Sequence, residues 1–152
     1  MTHEDFVVKV LGKTNVKSPL CQAARNYSPL YKFVDESERI LYDVSLNSFD
    51  KCMKNGEQPL SFEKAGPREN IFFEPAKTKV GIVTCGGLCP GLNNVIRSLV
   101  YELYYRYGIT RISGIKYGFE GLVAKYNHPV IDLTPQVVSY IHLSGGSFLG
   151  SS

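Results

Sequence analysis

From Lys79 to Tyr107 the chain reads KVGIVTCGGLCPGLNNVIRSLVYELYYRY, and the spacing of its apolar positions changes half-way along. Val80, Ile82 and Val83 are all β-branched, which predicts a central strand covered on both faces. Gly86 and Gly87 follow at once, where a chain leaving a strand must turn sharply and needs positive φ. Pro90 and Gly91 hold off the helix that comes next. Val95, Ile96, Leu99, Val100, Leu103 and Tyr107 then recur on a 3.6-residue period, the apolar face of an amphipathic helix. Gly108 stands where such a helix stops. A turn that frees backbone amides beside the positive end of a helix dipole makes an anion site, with phosphate as the expected ligand.

After Gly108 the pattern repeats. Ile109–Tyr117 suits a second, parallel strand, and Gly118–Val123 a glycine-punctuated loop at its carboxyl end, where ligands of open α/β sheets bind. Val130–Leu133 reads as a short strand or edge piece. Thr134 is placed as an N-cap with Pro135 at the first helical position, predicting a helix over Gln136–Leu143 with Val137, Tyr140 and Ile141 inward. Gly145–Ser152 forms a second glycine-serine turn. Two or three strands are too few for a covered parallel sheet, so the sequence is expected to hold only the beginning of such a domain.

Residues 1–76 differ in character. Pro19, Pro29, Pro59, Pro67 and Pro75 interrupt them, and sustained periodicity is weak. Val34–Ser45 suggests a helical turn followed by extended chain, and Ile71–Phe73 a short strand. Leu41, Leu46, Phe49 and Phe62 argue for an N-terminal arm that packs onto an α/β domain spanning 77–152, and aromatic content this high argues against disorder.

Composition narrows the class. A hydrophobic fraction of 43% fits a globular chain. Seventeen basic against 14 acidic residues, scattered along the chain, exclude neither fold nor enzyme but speak against nucleic acid or an anionic membrane as partner. No signal peptide or membrane-length apolar run is present, so the four cysteines are expected as free thiols of a reduced, cytoplasmic protein. Cys85 and Cys89 lack the further ligands that zinc requires, and are expected to be small buried side chains lining the turn, with no metal bound. Neither a Walker loop nor the dinucleotide fingerprint fits the glycine spacing at Gly86–Gly91.

TCGGLCPGLNNVIRSLV (Thr84–Val100), YGFEGL (Tyr117–Leu122) and IHLSGGSFLGSS (Ile141–Ser152) resemble three successive motifs of the phosphofructokinase family, and AGPRENIFF (Ala65–Phe73) resembles the version in plants and trypanosomatid protists. The likeness spans Ala65–Ser152 and is ordered, whereas the first sixty residues add little. Leu88-Cys89 stands where common bacterial members have Asp-Ala.

The resemblance implies an α/β, phosphofructokinase-like parallel sheet with flanking helices, present as its N-terminal portion, and transfer of a phosphoryl group from ATP to fructose 6-phosphate with Mg2+. Gly87 would lie against the donor's phosphates, Gly86 would shape the turn, and Phe119 would lie by the nucleotide. Arg97 matches an effector-binding arginine, although its usual partner four residues on is Tyr101 here; the other reading of Arg97 is a solvated surface arginine. The family's Mg2+-binding segment, catalytic aspartate and sugar-phosphate arginines fall outside this sequence, so none of its residues is assigned to catalysis or to the metal. His128 and His142 are expected in exposed or capping roles. Pyrophosphate as donor, or a non-catalytic phosphate-binding module, are the alternatives. A homo-tetramer is the assembly that the resemblance implies.

Overall fold

The computed structural model describes residues 2–21, 32–87 and 89–151, so Pro29, Leu88 and Ser152 lie outside the described residues. The chain divides into two compact units, residues 1–72 and 73–152.

In the first unit, two antiparallel pairs form, one between β1 (Val16–Lys17) and β4 (Asn70–Ile71), the other between β2 (Arg39–Leu41) and β3 (Ser61–Glu63). Strand β4 ends at Ile71, short of the Phe72 and Phe73 expected in it. A helix the sequence reading passed over, α1 (Leu46–Asn55), joins β2 to β3; Ser45 precedes it and Gly56 closes it in the left-handed region at φ 67°. Its amphipathic face buries no residue. Phe6, Tyr42 and Phe62 meet edge to face, with ring centroids 4.9–5.9 Å apart, and Phe6 is the buried member.

Three carboxylates of this unit sit below their ordinary range. The Ser37 hydroxyl and backbone N–H donate to Asp35, Lys64 donates to Glu38, and Ser48 with the Ser45 backbone holds Asp43. A lowered folded-state pKa contributes stability that is present above the unfolded value and is lost as pH falls through the folded one. The turn at 35–38 is therefore expected to loosen as pH drops below about 4, the ordinary carboxylate range. Amide NMR shifts of Ser37 and Glu38 followed through that window check it.

The second unit carries a three-stranded sheet in the order β5-β6-β7. Strand β5 (Val80–Val83) runs parallel to β6 (Ile112–Ile115), as the sequence predicts, but β6 is central and β5 lies at one edge. Strand β7 (Val130–Asp132) pairs antiparallel to β6, so the sheet is mixed rather than parallel throughout. Helix α2 (Leu92–Tyr101) forms the crossover and runs on into a π-helical turn, Glu102–Arg106, before Gly108 reverses the chain at φ 70°.

The face of α2 that turns inward is shifted from the expected one. Ile96 and Val100 are buried and Leu103 packs on the core, but Val95 and Leu99 are exposed and Asn93 takes the first inward position. Around this face gather Ile82, Ile109, Ile112, Leu133, Val138, Ile141 and Leu149. Fully burying an aliphatic chain of this kind contributes about 1.5–3 kcal/mol. The helix expected over Gln136–Leu143 does not form. Thr134 caps a single turn, its Oγ1 accepting from the Val137 N–H at 3.3 Å, and a 3-10 turn follows at Ile141–Leu143. Val138 and Ile141 point inward, whereas Val137 and Tyr140 are exposed. Among the described residues, no helix is long and apolar enough to cross a membrane.

Candidate functional site: three glycine motifs held together

The end of β5 leads into Thr84, and from there the chain bends through Gly86, whose φ of 88° favours a residue without Cβ. Gly91 repeats that conformation as the N-cap of α2, where no side chain caps the helix. The Leu92 N–H donates to the Cys89 carbonyl at 3.3 Å, and the amides of Asn93 and Asn94 are left to water or a ligand. A Cβ built on Gly87 would meet no atom within 4 Å, and Gly87 lies outside the positive-φ set. The packing of the described residues gives no reason for glycine there.

Three direct links join the motifs. The Thr84 hydroxyl donates to the Gly150 carbonyl at 2.6 Å and lies 3.3 Å from the Ser147 hydroxyl. The Asn93 side chain, 4% exposed, donates from Nδ2 to the Ser144 carbonyl at 3.0 Å and accepts the Phe148 N–H on Oδ1 at 2.8 Å. Tyr117 donates its backbone N–H to the Leu149 carbonyl at 2.9 Å, and Gly150 packs against its ring. Strand end, helix start and the turn after Gly118 are therefore all fixed to one loop, 144–150. An open cleft of about 440 Å³ lies between the helix start and that loop, lined by Gly91, Asn93, Asn94, His142, Ser144 and Gly146 among others.

The predicted residues are distributed unevenly around this cleft. Gly86 and Gly87 lie on the turn between β5 and α2 and are not among the cleft's walls. Phe119, on the 3-10 turn Gly118–Leu122, is 66% exposed and is not among the cleft's walls. Arg97 is half-buried and partnered. Its Nε donates to the Ser139 carbonyl at 3.3 Å, and its guanidinium lies 4.4 Å over the Tyr101 ring. Cys85 and Cys89 are exposed rather than buried, and Cys89 lines the cleft; all four cysteines are free thiols. His142 is exposed on the cleft wall. His128, expected in an exposed or capping role, is mostly buried; its Nε2 lies 2.7 Å from Glu120 Oε1, between the rings of Tyr117 and Tyr126.

Sequence reasoning missed Thr84 and Asn93 as site-forming residues. For Asn93 a signal existed: it shares the three-four spacing of Ile96, Val100, Leu103 and Tyr107. A polar amide on an otherwise apolar stripe must find partners when buried, and both of its ends do.

Among the described residues, no three His, Cys, Asp or Glu side chains come together to hold a metal ion.

Residues 79–152 match the family model described as phosphofructokinase. The chain is 43% identical over 149 residues to the ATP-dependent 6-phosphofructokinase of Amycolatopsis methanolica, which covers 98% of this chain and 32% of that protein. It is 37% identical over 153 residues to the ATP-dependent 6-phosphofructokinase of Trypanosoma cruzi, covering 100% of this chain and 31% of that one. ATP-dependent 6-phosphofructokinase 7 of Arabidopsis thaliana is 48% identical over 99 residues, 65% of this chain and 20% of its own length. The likeness thus reaches well before Ala65, further than the motifs alone marked. The chain spans about a third of the length of the first two of these relatives. Three motifs bound to one another in space, inside the stretch that the family model covers, make residues 79–152 a member of the phosphofructokinase family.

Proposed function

We propose that the chain supplies the phosphate-donor side of an ATP-dependent 6-phosphofructokinase, which moves the γ-phosphoryl group of ATP to fructose 6-phosphate and gives fructose 1,6-bisphosphate. In that transfer the bond from γ-phosphorus to ADP breaks, a new P–O bond forms to the sugar hydroxyl, and the hydroxyl proton leaves. The observation that carries the reading is the empty space at Gly87. The glycine has no packing partner, and it stands on the turn whose amides precede α2. Room for a ligand's phosphate is a physical reason for it, and the helix dipole favours negative charge there. ATP is the donor named for each relative compared above. Gly86 sets the bend, and Phe119, exposed on a turn anchored through Tyr117, is free to lie against the nucleotide.

Arg97 is given a different part from the effector contact. Its bond to Ser139 ties α2 to the turn at 134–140, its place over Tyr101 holds the guanidinium along α2, and an effector phosphate would have to displace both. Mg2+ accompanies ATP in this reading, and a cytoplasmic homo-tetramer is the matching assembly.

The test is a coupled assay of the full-length protein with fructose 6-phosphate and either ATP or pyrophosphate. ADP release that depends on fructose 6-phosphate is expected. Consumption of pyrophosphate instead, or no transfer from either donor, overturns the proposal.

A further inference from the structure

Resting on the functional reading above, we infer that Asn93 and Thr84 are positioning residues that set the distance between the donor-phosphate turn and the second glycine loop. Each reaches across a long stretch of sequence to the same segment. Asn93 bonds Ser144 and Phe148, 51 and 55 residues away, and Thr84 bonds Gly150, 66 residues away. Both side chains are buried, at 4% and 7% exposure, and although Asn93 is on the cleft wall, both ends of its amide are committed to protein partners. Asn93 is set apart from an ordinary buried amide by its position. It is the second residue of α2, two positions after the Gly91 cap, so its backbone belongs to the proposed phosphate turn while its side chain grips the opposite wall. Both ends of the amide are used, one as donor and one as acceptor, which fixes its orientation and therefore the separation of the two walls. Thr84 does the same at the strand side of the turn. Loss of either link widens the cleft and moves the amides of Gly87, Asn93 and Asn94 away from the phosphates they would meet. A misplacement of about 1 Å in such a site is enough to cost activity by 10²-fold.

The acceptor sugar is not part of this arrangement, and that separates positioning from plain stability. In the full-length protein, Asn93→Leu and Thr84→Val are each expected to raise KM for the phosphate donor by about tenfold or more, with KM for fructose 6-phosphate within about twofold of the parent. Asn93→Asp keeps the acceptor for Phe148 but sets a second oxygen against the Ser144 carbonyl, so it is expected to behave like Asn93→Leu. Thr84→Ser retains the hydroxyl and should restore the parent donor KM. Val138→Ala, a core change away from both links, should lower the melting temperature while leaving donor KM unchanged. The inference is overturned if donor and acceptor KM rise together, if Thr84→Ser fails to restore the donor KM, or if Val138→Ala raises it as much as Asn93→Leu does. Should Asn93→Leu not fold, the Thr84 pair decides. A parent protein without phosphotransfer from either donor overturns the functional reading and this inference with it, whereas an active parent with unaltered donor KM in the variants overturns this inference alone.

Discussion

Gly87→Ala in the full-length protein is expected to lower kcat/KM for the phosphate donor by about 10²-fold while leaving the melting temperature nearly unchanged. The two halves of that expectation have separate causes. The methyl group meets no protein atom within 4 Å, and the backbone at Gly87 is not in the left-handed region, so the fold has no reason to object. A phosphate drawn up to the turn does have one, because the methyl group stands in the volume it would fill. Steady-state kinetics beside a thermal melt of the same sample checks both halves. Unaltered kinetics would place the phosphate away from this bend, and a large drop in melting temperature would make the glycine structural.

Gly121→Ala is expected to do the reverse, and to cost the fold about 3 kcal/mol or more. Its added methyl would overlap the Lys116 carbonyl oxygen and stand 2.7 Å from Ile115 Cγ2. The backbone cannot step aside cheaply. Tyr117, next to Lys116, already holds φ 59° with its N–H committed to the Leu149 carbonyl. A thermal melt of the full-length variant would show the loss as a lower midpoint, and loss of order at Phe119 should accompany it. An unchanged midpoint would mean that the turn at 118–122 settles in another shape.

The contrast between these two glycines shows what a sequence discloses and what it hides. Both stand in glycine motifs and look alike on the page; one is open and the other is wedged against backbone. The strand-turn-helix of residues 80–107 was legible because its period changes at Gly86 and each half is long enough to show it. The parallel pairing of β5 with β6 was legible too, since an intervening helix imposes it. Which side of α2 faces inward was not. Val95 and Leu99 fit the apolar period, but a buried amide at Asn93 and the two turns it binds rotate the contact face. The segment 134–143 has a good start signal in Thr134-Pro135, yet eight residues make a costly nucleus, and Arg97 takes the Ser139 carbonyl that a helix would need. Helix α1 carried end signals in Ser45 and Gly56 and apolar residues at helical spacing in Leu46, Phe49 and Met53, so it was legible and was passed over. At the site, the glycines were readable from spacing, whereas Thr84 and Asn93 act through partners more than fifty residues away, a distance no local pattern encodes.

That distance has a consequence for how the molecule comes into being. Closing a loop of this length removes chain entropy before any hydrogen bond rewards it, so contacts between segments far apart in sequence form slowly. The Thr84–Gly150 and Asn93–Ser144 links are therefore among the last to be made. During synthesis the first glycine turn emerges well before the segment that braces it, and for that interval it has the right local shape without its opposite wall. Competence to hold a ligand arrives only when the later loop docks.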